Sequence, residues 1–358
     1  MIKNIFLGSI LAISSVFANA ACEENVDNID AFYINGMFTD FPAFKSNQNA
    51  LEDFIATYMP SSSFNSKVSG SYNFNEDAFE QAMEVGRQKL EDASAEVIQA
   101  YLDFINGDNS FLSDPDMTAE IQLYLQDILD AYDGTLSEQD TIAAKNGVID
   151  LLDQCGRVVM VTHSQGNFYG NVIFNDIYSS YYFPNGYAIA AYPMLGIMQI
   201  ASPVYTPGGA MGSANPDLTG HITNNTDLVM AMVREVIGSV DANFSADINS
   251  SDYTGHSLEN AYLTQSAQAT NIAGQMENIV NSLTPYPMQG QVAASSSALS
   301  GFGHSDINSL FDVEFVSGGV YRYYGVSQSV FNGLQGASSQ GGYFNVNIRD
   351  VYEYEQIE

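Results

Sequence analysis

The stretch Arg157–Asn171, RVVMVTHSQGNFYGN, decides how the chain is read. A β-prone run, Val158 to Thr162, stops at His163-Ser164, and apolar residues at helical spacing follow from Gln165 to about Tyr178. A buried strand that turns sharply into a helix is predicted, with Ser164 at the turn. A serine hydroxyl is a weak nucleophile until a base takes its proton and fixed donors hold the resulting oxyanion. A strand-to-helix elbow supplies such a donor, because it lifts the side chain off the sheet and aims the next residue's N–H at the reacting carbonyl. Elbows of this kind take small residues two before and two after the serine. Gly166 fits the second position, and Thr162 stands in the first. The plainer alternative is a serine that caps the helix N-terminus.

Upstream, AFYING (Ala31 to Gly36) is a β-rich run ended by Asn-Gly, and NQNALEDFIATYM has helical spacing. A second strand is expected around Val68 to Phe74, followed by an acidic helical stretch from Asn75 to about Tyr132. SEQDTIAAKNGVIDLLDQ opens on Ser137 and Asp140, an imperfect capping box, and runs helical. Downstream come MLGIMQIASPV, the shorter strand GHITNNTD, and a helical pattern from His256 to about Leu283. Strands alternating with helices predict an α/β class, with a mostly parallel sheet covered on both faces. The Gly-rich Tyr205–Pro216 lacks the Gly-Lys-Ser/Thr of a phosphate-binding loop and is read as a mobile loop. Residues 284–293 are read as a linker to a small α+β unit over 294–358. There Leu310 to Tyr323 alternates apolar and polar residues around a Ser317-Gly318-Gly319 hairpin turn.

A base and an acid are sought downstream of the serine. The chain has four histidines. His163 adjoins Ser164 and is expected to point elsewhere, His221 opens a strand, and His304 lies beyond the linker. His256, at a loop-to-helix junction, is left as the base. Asp227 ends a short strand and is preferred as the acid over Asp217, Asp241 and Asp252, which sit on loops. The turn Asn35-Gly36-Met37 offers a second oxyanion donor in the Met37 amide, beside that of Gln165.

The 358 residues carry 10 Lys and Arg against 42 Asp and Glu, a net charge of -32. So acidic a surface repels phosphate backbones and anionic headgroups, so no nucleic-acid partner is expected. MIKNIFLGSILAISSVFANA has Lys3, a short apolar run and a small-x-small ending, as a signal peptide over residues 1–20 would. No transmembrane segment is expected. Export to the periplasm or medium is favoured over a lipid anchor on Cys22, because Asn19 replaces the aliphatic residue a lipoprotein signal carries. The two cysteines, Cys22 and Cys155, suggest one disulfide; an unpaired Cys22 bearing lipid would leave Cys155 a buried thiol.

FYINGMF, VTHSQGNFYGN, NNTDLV and GHSLENAYL together resemble the α/β-hydrolase superfamily, in particular secreted bacterial lipase-like proteins with a His-Ser-Gln-Gly-Asn motif. The resemblance spans about Ala31 to Leu263 and implies a hydrolase domain over 21–283, with residues 75–132 as a helical insertion. It implies Ser164 as nucleophile, His256 as base, Asp227 as acid, Met37 and Gln165 as oxyanion donors, and a Cys22–Cys155 bridge. It also implies an esterase-like activity on a small-molecule or lipid ester, with no metal and no organic cofactor. The insertion and the Tyr205–Pro216 loop are placed to cover such a site. Acyl transfer to an alcohol, and a catalytically silent binding protein, are the rival readings.

The C-terminal unit resembles the KTSC domain, through Tyr321-Arg322-Tyr323 and ASSQGGYFNVNIRDVYEY. That likeness names no partner. From Ala294 onward two arginines face seven carboxylates, which argues against a phosphate ligand, and its tyrosines are read as core and cross-strand packing.

Overall fold

A computed structural model describes residues 28–36, 39–60, 64–72, 138–237, 239–252, 254–306 and 309–357. The expected signal peptide, Cys22, Met37 and the 75–132 insertion lie outside these residues.

Five strands form the first sheet: β1 (Ile29–Ile34), β2 (Ser69–Ser71), β3 (Arg157–His163), β4 (Leu195–Ile200) and β5 (Thr219–Ile222). They run in the order β2-β1-β3-β4-β5, and every pairing is parallel. Helices α1 (Phe41–Tyr58), α2 (Glu138–Asp153) and α3 (Gly166–Ser180) pack on it. The short α4 (Gly209–Ala214) packs on α3, whereas α5 (Leu228–Ile237) and α6 (Ser266–Ser282) pack on the sheet. The continuous apolar runs of β3 and β4 are explained by cover on both faces: Val158 to Thr162 and Leu195 to Ile200 are all buried. Helix α1 packs with α6, whereas α2 packs with α3. The chain therefore leaves β1 toward one face and β3 toward the other. Doubly wound sheets open a crevice at the carboxyl ends of such a strand pair. Here Ile34 lies level with Thr162, so Asn35-Gly36 and His163-Ser164 emerge side by side.

Helix α1 begins earlier than its periodicity suggested. Asp40 accepts from the Ala43 N–H as N-cap, and Pro42 occupies the first turn. The expected helix after His256 is broken: a π-helical turn, Leu258–Leu263, precedes α6. Sequence periodicity cannot register one extra residue per turn. The Gly-rich stretch is likewise built, in place of the expected mobile loop. Gly208 and Gly209 adopt positive φ and lead into α4. The Gly208 N–H donates to Gln199 Oε1, and Asn175 Nδ2 and Asn171 Nδ2 donate to the Gly208 and Thr206 carbonyls. Those glycines serve close packing: a Cβ on Gly212 would lie 2.3 Å from the Pro207 oxygen.

The second sheet is antiparallel, in the order β10-β9-β8-β7-β6. Its strands are β6 (Val292–Ala293), β7 (Leu299–Ser305), β8 (Leu310–Phe315), β9 (Val320–Tyr324) and β10 (Tyr354–Gln356), covered by α7 (Gln328–Gln335) and α8 (Gln340–Asn347). The β8–β9 hairpin closes through Gly318 and Gly319, both at positive φ. Tyr323 packs on Phe311 and Phe344 in the core of this unit, as read from the sequence. Arg322 is buried and donates to both carboxylate oxygens of Asp312 across the hairpin, at 2.8 and 2.9 Å. Its cross-strand partner thus holds the one arginine at the middle of the motif. The connecting segment is packed: Tyr286, Met288 and Gln289 are buried, and Leu310 and Val320 of the second unit join the core of the first. The attachment is at the amino end of β4, through Gln289 Nε2 to the Tyr192 hydroxyl and Asn185 Nδ2 to the Pro287 carbonyl. That is the opposite end of the sheet from Ser164.

Candidate active site

Ser164 sits between β3 and α3 with φ +54, a left-handed conformation rare for a residue with a side chain. Its neighbours hold it there. The Ser164 N–H donates to the Ile200 carbonyl (3.1 Å), and Asn167 Nδ2 donates to the carbonyls of Ser164 (2.7 Å), Ile200 (3.0 Å) and Ala201 (3.3 Å). Ala201, just past β4, is also left-handed, at φ +49. The small residues of the elbow have steric reasons. A Cβ on Gly166 would lie 2.6 Å from the Ile34 oxygen, and one on Gly36 would lie 2.4 Å from Ser164 Cβ. Thr162 is accommodated by a second glycine, because a Cβ on Gly170 would meet Thr162 Cγ2 at 2.8 Å. The Thr162 hydroxyl donates to Asn167 Oδ1 at 2.6 Å, so the departure from Gly at this position is compensated within the elbow.

Residues far apart in the chain converge on the serine. The Ser164 hydroxyl donates to His256 Nε2 at 2.9 Å, and His256 Nδ1 lies 3.0 Å from both carboxylate oxygens of Asp227. Ser164 is 0%, Asp227 1% and His256 5% exposed, so these contacts are largely shielded from water. Asp227 caps α5, accepting the Met230 N–H on Oδ1, and receives the Tyr262 hydroxyl on Oδ2 at 2.7 Å. The acid loop is tied to its surroundings. Asn225 and Asn243 make backbone bonds between residues 223–225 and 243–244, and Asn224 Nδ2 donates to the Ala261 carbonyl. Gly255, at φ +62, lets the base loop lie against it, since a Cβ there would fall 2.4 Å from the Thr226 oxygen.

The rival acids are placed elsewhere. Asp252 accepts from the Thr254 N–H and hydroxyl and from the Ser257 N–H, bracing the loop that carries His256. Asp217 and Asp241 are exposed. His304 is held by Gln328 and the Val326 carbonyl within the second unit. His221 lies in β5, where burial lowers its pKa. His163, expected to point elsewhere, packs its ring 4.9 Å from that of His256, and its Nε2–H donates to the His256 carbonyl at 2.8 Å. Burial, reinforced by His256, pushes the His163 pKa down to about 3, so the ring is neutral. Sequence reasoning gave no role to Asn167, Gly170, Tyr262 or the His163 carbonyl bond. Only Asn167 was signalled, as the last residue of the motif.

Of the residues expected to hold an oxyanion, Gln165 follows the serine at the start of α3, and Asn35 Nδ2 donates to the Gly36 carbonyl, shaping the neighbouring turn. Met37 lies outside the described residues. Cys155, at φ +64 between α2 and β3, is disulfide-bonded, and the chain's other cysteine is Cys22. Among the described residues no three His, Cys, Asp or Glu side chains cluster as metal ligands, and no helix is long and apolar enough to cross a membrane.

Residues 295–352 match the KTSC domain family, so the second unit is a KTSC domain. Among solved structures, a KTSC domain protein from Yersinia pestis is similar, with 26% identity over 18% of this chain and 92% of its own, at a TM-score of 0.18. No curated protein matches the chain.

Proposed function

We propose that the first unit is an α/β-hydrolase-type serine hydrolase that cleaves carboxylic esters. One observation carries this reading: the unbroken Ser164–His256–Asp227 hydrogen-bond chain at the carboxyl edge of a parallel sheet. The chain order Ser, Asp, His and the elbow ahead of α3 are those of the hydrolase arrangement. The strand order suits it too, with β1 supplying the oxyanion turn beside the nucleophile strand.

In this reading His256 Nε2 takes the Ser164 proton as Oγ attacks the acyl carbon. Asp227 fixes the Nδ1–H tautomer and stabilises the imidazolium. The Gln165 amide, with that of Met37, holds the tetrahedral oxyanion. Collapse expels the alcohol with the proton from His256, and water, deprotonated by the same ring, releases the acid. The substrate class is a small-molecule or lipid ester; the charge of -32 disfavours a polyanion. The leader-like first 20 residues and the disulfide at Cys155 support export to an oxidising compartment.

Labelling with a fluorophosphonate tests the reading. The folded protein is expected to form an adduct on Ser164, lost in Ser164→Ala, and to hydrolyse p-nitrophenyl esters in a series that grades acyl length. An unlabelled, inactive folded protein would overturn it in favour of a silent binding protein. Ester product in place of acid when acceptor alcohols are added would reassign it as an acyltransferase.

A further inference from the structure

We propose that Tyr262 is a positioning residue of the triad, whose hydroxyl shares the charge of Asp227 and so limits the pull of that carboxylate on His256; this rests on the triad reading above. Tyr262 is fully buried in the π-helical turn Leu258–Leu263. Its oxygen accepts the Asn224 N–H at 3.2 Å and donates its proton to Asp227 Oδ2 at 2.7 Å. The direction of that bond is settled by chemistry. The amide N–H consumes a lone pair of the phenol, the carboxylate only accepts, and burial beside Asp227 holds the phenol pKa well above 10. Asp227 therefore divides its charge among three donors: the Met230 amide, the Tyr262 hydroxyl and the His256 imidazole. Each of the other two weakens its pull on His256.

The groups that face His256 leave Tyr262 as the adjustable one. Neutral His163 lies against its ring, Ser164 meets Nε2 and Asp227 meets Nδ1, while the Asp252 carboxylate is engaged by Thr254 and Ser257. Glu259, on the same turn as Tyr262, is directed to the Ser46 hydroxyl of α1. Removing the Tyr262 hydroxyl concentrates charge on Asp227 and strengthens its bond to the His256 Nδ1–H, which favours the imidazolium. A stronger donor there does the opposite.

The test is the pH dependence of kcat/KM for p-nitrophenyl butyrate in three full-length proteins: wild type, Tyr262→Phe, and the chain with 3-fluorotyrosine at position 262. In Tyr262→Phe the acidic limb is expected to move to higher pH by roughly half a unit, with kcat down about tenfold and KM within about twofold. With 3-fluorotyrosine, a stronger donor of the same shape, the limb moves to lower pH. Opposite shifts are what charge tuning produces and a packing defect does not. Limbs that superimpose, or that move the same way in both variants, would overturn the proposal. Should Tyr262→Phe fail to fold, the fluorinated protein decides alone, by a downward shift or none. A wild type that neither labels nor hydrolyses would sink the triad reading itself, and the two failures are thereby told apart.

Discussion

Gly36 and Ser164 are in such close contact that the turn after β1 and the elbow after β3 form one steric unit. A methyl group at residue 36 would meet Ser164 Cβ at 2.4 Å and the His163 oxygen at 2.6 Å. Gly36→Ala is therefore expected to lower stability by about 2 kcal/mol or more, read by urea unfolding, and to slow fluorophosphonate labelling at least as severely as folding permits. His163 gives a pH-dependent counterpart. Its folded-state pKa of about 3 lies below the 6.5 of an unperturbed histidine, so the unfolded chain binds the extra proton between these values. Stability from the neutral ring is complete above pH 6.5 and drains away as pH falls toward 3, by up to about 5 kcal/mol. His163→Gln keeps a donor for the His256 carbonyl but cannot titrate. Its unfolding free energy should fall less steeply between pH 6.5 and 4 than that of the wild type. That Ser164, Asp227 and His256 come together was legible in the sequence, because chemistry limits the residue types that pair in this order and few histidines compete. Asn167, Gly170 and Tyr262 were not, since a buried Asn, Gly or Tyr carries no sign of which distant atoms it meets.

The elements were legible in outline and least so where local rules are broken. The strands β1, β3 and β4 stand out because burial on both faces makes each an apolar run. Helix α3 was found from its periodicity, yet its fit against β3 rests on a size exchange invisible to periodicity: Thr162 is large where Gly170 has no side chain. Gly170→Ala is expected to cost roughly 1–3 kcal/mol, and Thr162→Ser, which removes Cγ2 but keeps the hydroxyl to Asn167, should recover most of that in the double variant. A double-mutant cycle by thermal or urea unfolding measures the coupling. Additive losses would show that the two elements do not touch as described. The α4 region and the π-helical turn escaped the sequence for a shared reason. Glycine marks a mobile loop and a tight contact alike, and one inserted residue hardly perturbs a helical pattern.

Across the whole molecule, two cores meet at the end of the parallel sheet remote from Ser164, with Leu310 and Val320 belonging to both the KTSC domain and the larger core. The buried Arg322–Asp312 pair lies in the KTSC hairpin. Arg322→Leu strands a buried carboxylate and is expected to cost about 3–5 kcal/mol in urea unfolding. If the proposed reading holds, ester hydrolysis by the protein that remains folded should stay within about twofold of wild type, since no described KTSC residue is hydrogen-bonded to Ser164, His256 or Asp227. The net charge of -32 acts on every part at once. Raising ionic strength from ~0.01 M to ~0.15 M shortens the screening length from about 30 Å to about 8 Å, and the melting temperature should climb with it. A melting temperature that is flat or falls with salt would show that paired charges outweigh self-repulsion. The division into two units was legible from composition, but their fused core was not, because an apolar residue does not announce which neighbour it will bury against.

The π-helical turn at Leu258–Leu263 has a mechanical consequence. Its surplus residue works as a spacer between the ring of His256 and the phenol beneath the acid, and consecutive positions on a helix are turned by about 100°. Shortening the chain by one residue at Asn260 would let the turn relax to ordinary α-helix and swing the phenol out from under Asp227. Such a protein would keep its helix and lose the alignment that its extra half-step provides.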